Sequence, residues 1–399
     1  MKAIETSVNY VKQCMHGTSK NYYRYCAALL IIAVIGLSNS ISFLVHGHVS
    51  SGMSDFVPWG IYISALAFFI GCSAGATMVG LLIHGFGRED YHPIGTRAII
   101  LALLSIFAAT QCVMMDVGNP FRAMKIPFLL RNVTSMFFIS SSSYMGFMAI
   151  LMGELVSTVM VTRGGASDRV KKIAKVLGII AVPYALIVVH SFTGTIFGVV
   201  KAREMWNTPL LPIHFVTSAL ASGFALVILV TVLTSWVRKK HLVSLETYNN
   251  MGVLFCFFLI ATVFLDIFDY VILIYSSTAE GIETWHLLTT RYLILFAMNI
   301  GGLIIATIIT AFKKGRTPMG LFIATTITIL AIAAYRLNLL SVGQMIPLYP
   351  EIGEIQYIPT LPEVMPFFGL VALLMLIYSI LTKLLPMEEN AHTTGSEGE

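Results

Sequence analysis

Charge is what this chain most lacks. Only 11% of its 399 residues are Asp, Glu, Lys or Arg, 57% are hydrophobic, and the mean hydropathy is +0.82. A soluble globule carries roughly a quarter of its residues as charged groups, so ordinary water-soluble folds are excluded. Cysteine is scarce as well. Cys14, Cys26, Cys72, Cys112 and Cys256 have no C-x-x-C spacing, which excludes the usual clustered ligation of an iron–sulfur centre and leaves them as small core residues. Long polar connections are missing too, the longest being about 344–363. There is no room for a soluble domain on either face, and no nucleic-acid partner is expected.

What remains is apolar sequence in ten stretches of bilayer-spanning length. They predict an all-α integral membrane protein with helices near 24–47, 57–84, 97–117, 134–161, 173–200, 212–237, 248–275, 286–312, 319–343 and 364–386. Residues 1–23 form a polar N-terminal segment, and the first stretch lacks a small-x-small cleavage site, so it reads as a retained helix. Residues 387–399 read as a disordered tail. With the N-terminus inside, 18 of the 25 Lys and Arg residues fall on inner segments. The positive-inside bias therefore places both termini in the cytoplasm of a cell (inner) membrane protein.

Ionisable groups inside such stretches are costly, so they mark candidate sites. Asp116-Val117-Gly118-Asn119-Pro120-Phe121-Arg122 puts a carboxylate and a guanidinium at the outer end of the third helix. His46 and His48 end the first helix, and His190 lies in the outer half of the fifth. Asp266 and Asp269, three residues apart, share a face of the seventh helix and could both meet Arg336 or Arg291. Two readings stand for them, a structural ion pair or a proton relay. Most of these groups point to one outer site, with Asp269 on its binding side, while Glu154 lies toward the inner third of the fourth helix.

His190 is followed by Ser191, Thr193, Gly194 and Thr195. Its imidazole could hydrogen-bond a quinone carbonyl and exchange a proton with it, or it could be a satisfied packing histidine. Trp59 and Trp206 read first as interfacial belt residues and second as stacking partners. Gly71-Cys72-Ser73-Ala74-Gly75-Ala76 reads as a tight helix-packing face, with a cofactor groove as the lesser reading. Two other functions compete. Ten helices with intramembrane Asp, Glu and Arg, and Pro183 or Gly194 able to interrupt the fifth, suit an ion-coupled secondary transporter, although the charges cluster near one face. A b-type cytochrome subunit needs facing histidine pairs, and the inner side offers only His84, His92 and His241.

Ser51-Gly52-Met53 through Pro58-Trp59-Gly60-Ile61, the glycine-rich second helix, Asp116 to Pro120 and His190 to Trp206 together resemble the NrfD-like (PsrC-type) polysulfide reductase membrane subunits. The closing stretch, Arg336 to Leu340 and Tyr357 to Glu363 before a last helix, looks most like the ten-helix, HybB-type branch. The resemblance implies two four-helix bundles, about 57–200 and 212–343, between flanking helices. It implies a subunit without haem or iron–sulfur cluster that binds a quinone (menaquinone or ubiquinone) toward the periplasmic face. Its partners would be a ferredoxin-like iron–sulfur electron-transfer subunit and a catalytic or cytochrome subunit. Carried over position by position, His190 and Asp116 would do the chemistry, His46 would line the pocket, and Arg122 and Trp206 would shape its mouth. Glu154, Asp266 and Arg336 would serve proton transfer, Glu154 matching an acidic position of that branch. Where the branch has a further glutamate, this chain reads Phe137-Phe138-Ile139-Ser140-Ser141-Ser142-Ser143, and the serines could hold water instead.

Overall fold

The computed structural model describes residues 19–117, 120–125, 128, 132–347, 353 and 355–387, the side chain of Leu44 excepted. The segment 1–18, the tail from 388 onward, Gly118, Asn119, Glu351 and Glu354 lie outside the described residues.

In hydrocarbon every backbone N–H and C=O must be satisfied within the segment, so the apolar runs become helices. Among the described residues ten are long and apolar enough to cross a membrane: α1 Lys20–Phe43, α2 Ile61–His84, α3 Glu89–Asp116, α4 Met136–Thr162, α5 Asp168–Gly198, α6 Leu210–Arg238, α7 Leu245–Tyr275, α8 Leu293–Ala311, α9 Pro318–Met345 and α10 Leu361–Leu384. No strand occurs among the described residues. We call outer the end of the bundle that carries Asp116, and inner the end that carries the cation-rich loops.

Side-chain caps fix several starts. Ser19 accepts from the Tyr22 N–H, Ser244 from Thr247 and Thr317 from Gly320. Thr360 and Glu363 form a capping box at α10.

Two close backbone crossings organise the bundle. A Cβ on Gly223 of α6 would stand 2.5 Å from Gly75 Cα, so α2 and α6 meet backbone to backbone, and the small-x-x-x-small face is a packing device. Likewise a Cβ on Gly36 would stand 2.5 Å from Gly369 Cα, which pairs α1 with α10. Elsewhere α3 packs on α2, α8 on α9, and α6 meets α5, α7 and α9 as well as α2.

Two sequence expectations change. The run 286–312 is not one helix. A short outer helix, Ala279–Thr289, ends at Thr290 (φ −116°, ψ −78°), and α8 begins at Leu293. Nineteen apolar residues already suffice for α8 to span. The preceding turns instead lie against the bundle, with Trp285 5.6 Å from Phe296 and Leu288 fully buried. Arg97, counted among the inner cations, does not flank the third helix. That helix begins eight residues earlier than expected, and Arg97 lies buried within it, its Nη1 donating to Pro93 O at 2.5 Å.

Pro183 leaves α5 continuous but reshapes it. The seven residues after it, Tyr184–His190, wind as a π-helix before α-helix resumes at Ser191. Proline removes one ladder hydrogen bond and clashes with the preceding turn, and a wider turn absorbs both. His190 is the last residue of that wide segment.

Candidate functional site

The outer ends of α1, α2, α3 and α10 meet around Asp116. Gly47 turns the chain with φ +68°, and a short 3-10 turn follows that carries His48. His48 Nε2 reaches the main-chain oxygen of Asp116 at 3.0 Å, and its ring stacks on Phe43 with centroids 5.2 Å apart. The Gly60 backbone is the main-chain group acting on the Asp116 carboxylate. Asp116 Oδ1, His48 Nδ1 and the Tyr62 hydroxyl are buried with no hydrogen-bond partner. Three orphaned polar atoms in one place are unusual, because each costs about 1–3 kcal/mol when left unmade.

Glu363 holds this corner together. It is fully buried and accepts from Gly52 N–H at 3.0 Å and from the Tyr357 hydroxyl at 2.5 Å. Tyr357 in turn accepts from Ile61 N–H at 2.8 Å. Burial and the neighbouring Glu363 push the Tyr357 phenol well above its ordinary value, so it stays a donor.

A second polar cluster lies deeper. At 1.5 Å per residue from the outer helix ends, His190, Asp266 and Arg336 sit about 12–14 Å inside, near half the depth of the apolar core. Arg336 donates from Nη2 to Ser218 Oγ at 2.6 Å and lies 3.7 Å over the Phe215 ring, while Nε and Nη1 have no partner. His214 Nε2 is 2.6 Å from Asp266 Oδ1, an ion pair by distance whose angle falls outside that of a hydrogen bond. Asn299 donates to Asp266 Oδ2 at 3.4 Å. His190 is fully buried, and neither ring nitrogen makes a well-aligned hydrogen bond. Arg336, His214 and the Phe215 backbone are the groups that act on it.

Between the two clusters lies a cavity of about 470 Å³ at the outer end, opening between exposed Phe137 and Val199. Trp59 and Trp206 form its wall, stacked with centroids 5.4 Å apart, and Arg203 and Gln344 supply its polar rim. Trp59 precedes the Gly60 that acts on Asp116. On the other side Phe197 touches Trp59 at 5.4 Å and Phe215 at 5.8 Å, and Phe215 lies 5.5 Å from His190. A larger depression, about 580 Å³, is lined by α8 and α9 residues such as Leu293, Gly301 and Ile327. It has no side-chain donor to hold a polar ring.

The sequence-predicted residues thus divide. Asp116 and His190 belong to two separate polar clusters, one beside His48 and Gly60 and one beside Phe215 and Arg336. Gly71, beside His190, is about 16 Å along α2 from Gly60. His46 is exposed, and His48 takes the place expected of it. Arg122 is exposed on the turn Pro120–Ala123. Trp206 is not a belt residue. It is 3% exposed, and its indole donates to Leu339 O at 2.6 Å. Asp266 pairs with His214, while Arg336 acts on it without a bond and Arg291 lies in the exposed turn before α8. Asp269 is half-buried, with Thr208 and His214 among the groups that act on it. The intramembrane charges reach mid-depth and do not gather at one face, because the π-segment and the middle of α9 carry them inward.

Sequence reasoning missed His214, Glu363 and Tyr62. For His214 the signal was present: His214, Ser218 and Ser222 recur every four residues along an apolar run, a polar stripe on one face. Thr360-x-x-Glu363 likewise carries the capping signature.

Ten apolar helices with titratable groups sunk among them define a polytopic membrane protein with polar sites inside the bilayer. Within that class the chain belongs to the NrfD family of polysulphide reductase, which residues 49–348 match. It is 26% identical over 416 residues to a selenate reductase subunit of Mesobacillus selenatarsenatis, covering 93% of this chain and 96% of that protein. It is 27% identical over 220 residues to the "Hdr-like menaquinol oxidoreductase integral membrane subunit" of Archaeoglobus fulgidus, covering 55% and 53%. It is 26% identical over 228 residues to a "Putative dimethyl sulfoxide reductase membrane subunit" of Halobacterium salinarum, covering 52% and 51%.

Proposed function

We propose that this chain is the quinone-reactive membrane subunit of a multi-subunit oxidoreductase. In that assembly it exchanges electrons between the membrane quinone pool and an iron–sulfur partner on the outer, periplasmic face, with both termini cytoplasmic. The observation that carries the reading is the aromatic-walled cavity, open to the lipid, with orphaned acid–base groups on either side of its wall. Relatives named for selenate, menaquinol and dimethyl sulfoxide chemistry support an oxidoreductase setting.

The residues fit a quinone on physical grounds. Trp59 and Trp206 offer flat apolar faces to a flat ring, and Arg203 offers a donor to a carbonyl, while the Gln344 amide is held by Trp59 O and Leu340 O. A quinol bound there supplies two electrons and two protons. Asp116 Oδ1 and His48 Nδ1 accept protons near the outer surface, with the Tyr62 hydroxyl beside them. Glu363 fixes the 50–61 segment over the corner and keeps Gly60 aimed at Asp116. On the inner side of the wall, His190, Arg336, His214 and Asp266 form a buried relay able to hold a proton.

Tryptophan fluorescence tests the cavity. Titrating the purified complex with a soluble quinone analogue should quench emission, and Trp59→Phe with Trp206→Phe should remove most of that quenching. Quenching of unchanged size in the double variant would place the quinone elsewhere.

A further inference from the structure

A second buried acid lies far from the outer cavity. Glu154 sits on α4 about 12 Å from its inner end, 2% exposed, with Oε2 making no hydrogen bond. Two glycines make room for it. A Cβ on Gly80 would stand 3.0 Å from Glu154 Oε1, and one on Gly178 would stand 3.1 Å from the same atom. The same Gly178 Cβ position is 2.5 Å from His84 Cδ2 and 3.4 Å from His84 Nε2. Glu154 and His84 therefore both pack over the bare Gly178 backbone, next to the space a Cβ there would fill.

His84 is the last residue of α2, half-buried at the inner surface. His92 meets it edge-on with centroids 6.5 Å apart, and Lys175 of α5 is the other charge acting on it. No charged side chain among the described residues acts on Glu154 itself. A carboxyl so placed has no structural partner to explain it, yet it is one step from an imidazole that reaches solvent.

We propose that His84, Gly178 and Glu154 form a proton port on the inner face. A protonated His84 gives its Nε2 proton to a water over the Gly178 backbone, and that water gives one to a Glu154 carboxylate oxygen. His84 is left neutral and reloads from the inner aqueous phase, and no electron moves. Gly178 is required because any side chain there fills the gap. The port rests on the reading of this chain as a subunit that couples quinone chemistry to proton exchange, and is independent of where a quinone binds.

Infrared spectroscopy of the full chain, purified with its native partners, tests this. The protonated carboxyl band of Glu154 is assigned by its loss in Glu154→Gln, and its shift on transfer to D2O is then timed. Wild type should exchange rapidly, while His84→Leu and His84→Asn slow exchange at least tenfold. Gly178→Ala, if it folds, should do the same. Equal exchange in wild type and His84→Leu, or no band lost in Glu154→Gln, overturns the port. Quinone quenching of unchanged size in the Trp59→Phe, Trp206→Phe variant beside a normal infrared result counts against the cavity alone.

Discussion

His48 Nε2 lies 3.0 Å from the main-chain oxygen of Asp116, which ties the end of the first span to the end of the third. The bond uses the backbone of Asp116 and leaves its Oδ1 without a partner. His48 thus positions a carboxylate that remains available, and its own Nδ1 is left as a second proton acceptor beside it.

Asp116→Asn should lower quinol-dependent turnover by about 10²-fold, the scale of a lost general base, while the complex still assembles. His48→Ala should cost less, because Oδ1 survives although its helix end is loosened. Turnover with a soluble quinol analogue checks both, and wild-type rates in Asp116→Asn would remove it from the site.

His190→Ala separates the outer and inner clusters. If protons pass inward, turnover should fall while quinone quenching of Trp59 and Trp206 stays, since His190 touches the cavity only through Phe215 and Phe197. Loss of quenching together with turnover would instead place His190 against the ring.

Much of the fold was legible because a bilayer leaves the backbone few choices. Twenty apolar residues in a row have little alternative to a spanning helix, and ten spans occur among the described residues in the expected order, with 286–312 split and the third begun earlier. The site was legible only in part. Asp116 announced itself by its place at the edge of the hydrocarbon. The choice between His46 and His48 turned on Gly47, whose positive φ ends α1 and turns the chain before His48. Periodicity within a helix carries no information past that point. The depth of the charges was misjudged for a related reason: π-helical winding shifts the register of α5 just before His190, and a uniform 3.6-residue count does not see it.

The α2–α6 crossing gives a stability prediction. Gly223→Leu would drive a side chain into the Gly75 and Ala76 backbone, which cannot move aside as a flexible side chain can. Folded protein in detergent should be lost, as judged by size-exclusion profile. The half-buried counterpart Gly301→Leu on α8, where a Cβ meets nothing within 4 Å, should be tolerated.

The buried His214–Asp266 pair yields the last prediction. Removing one partner leaves the other charge in a low-dielectric interior, at a cost of about 3–5 kcal/mol for a buried pair. His214→Leu and Asp266→Leu should each destabilise the protein to chemical denaturation. The double variant should be less destabilised than the sum of the two, because no lone charge remains. Turnover distinguishes a structural pair from a relay. If the pair only packs, the double variant recovers activity along with stability. If it carries protons, the double variant is stable and slow. Additive stability losses in the cycle would show that the two side chains are not coupled, despite the 2.6 Å that separates them.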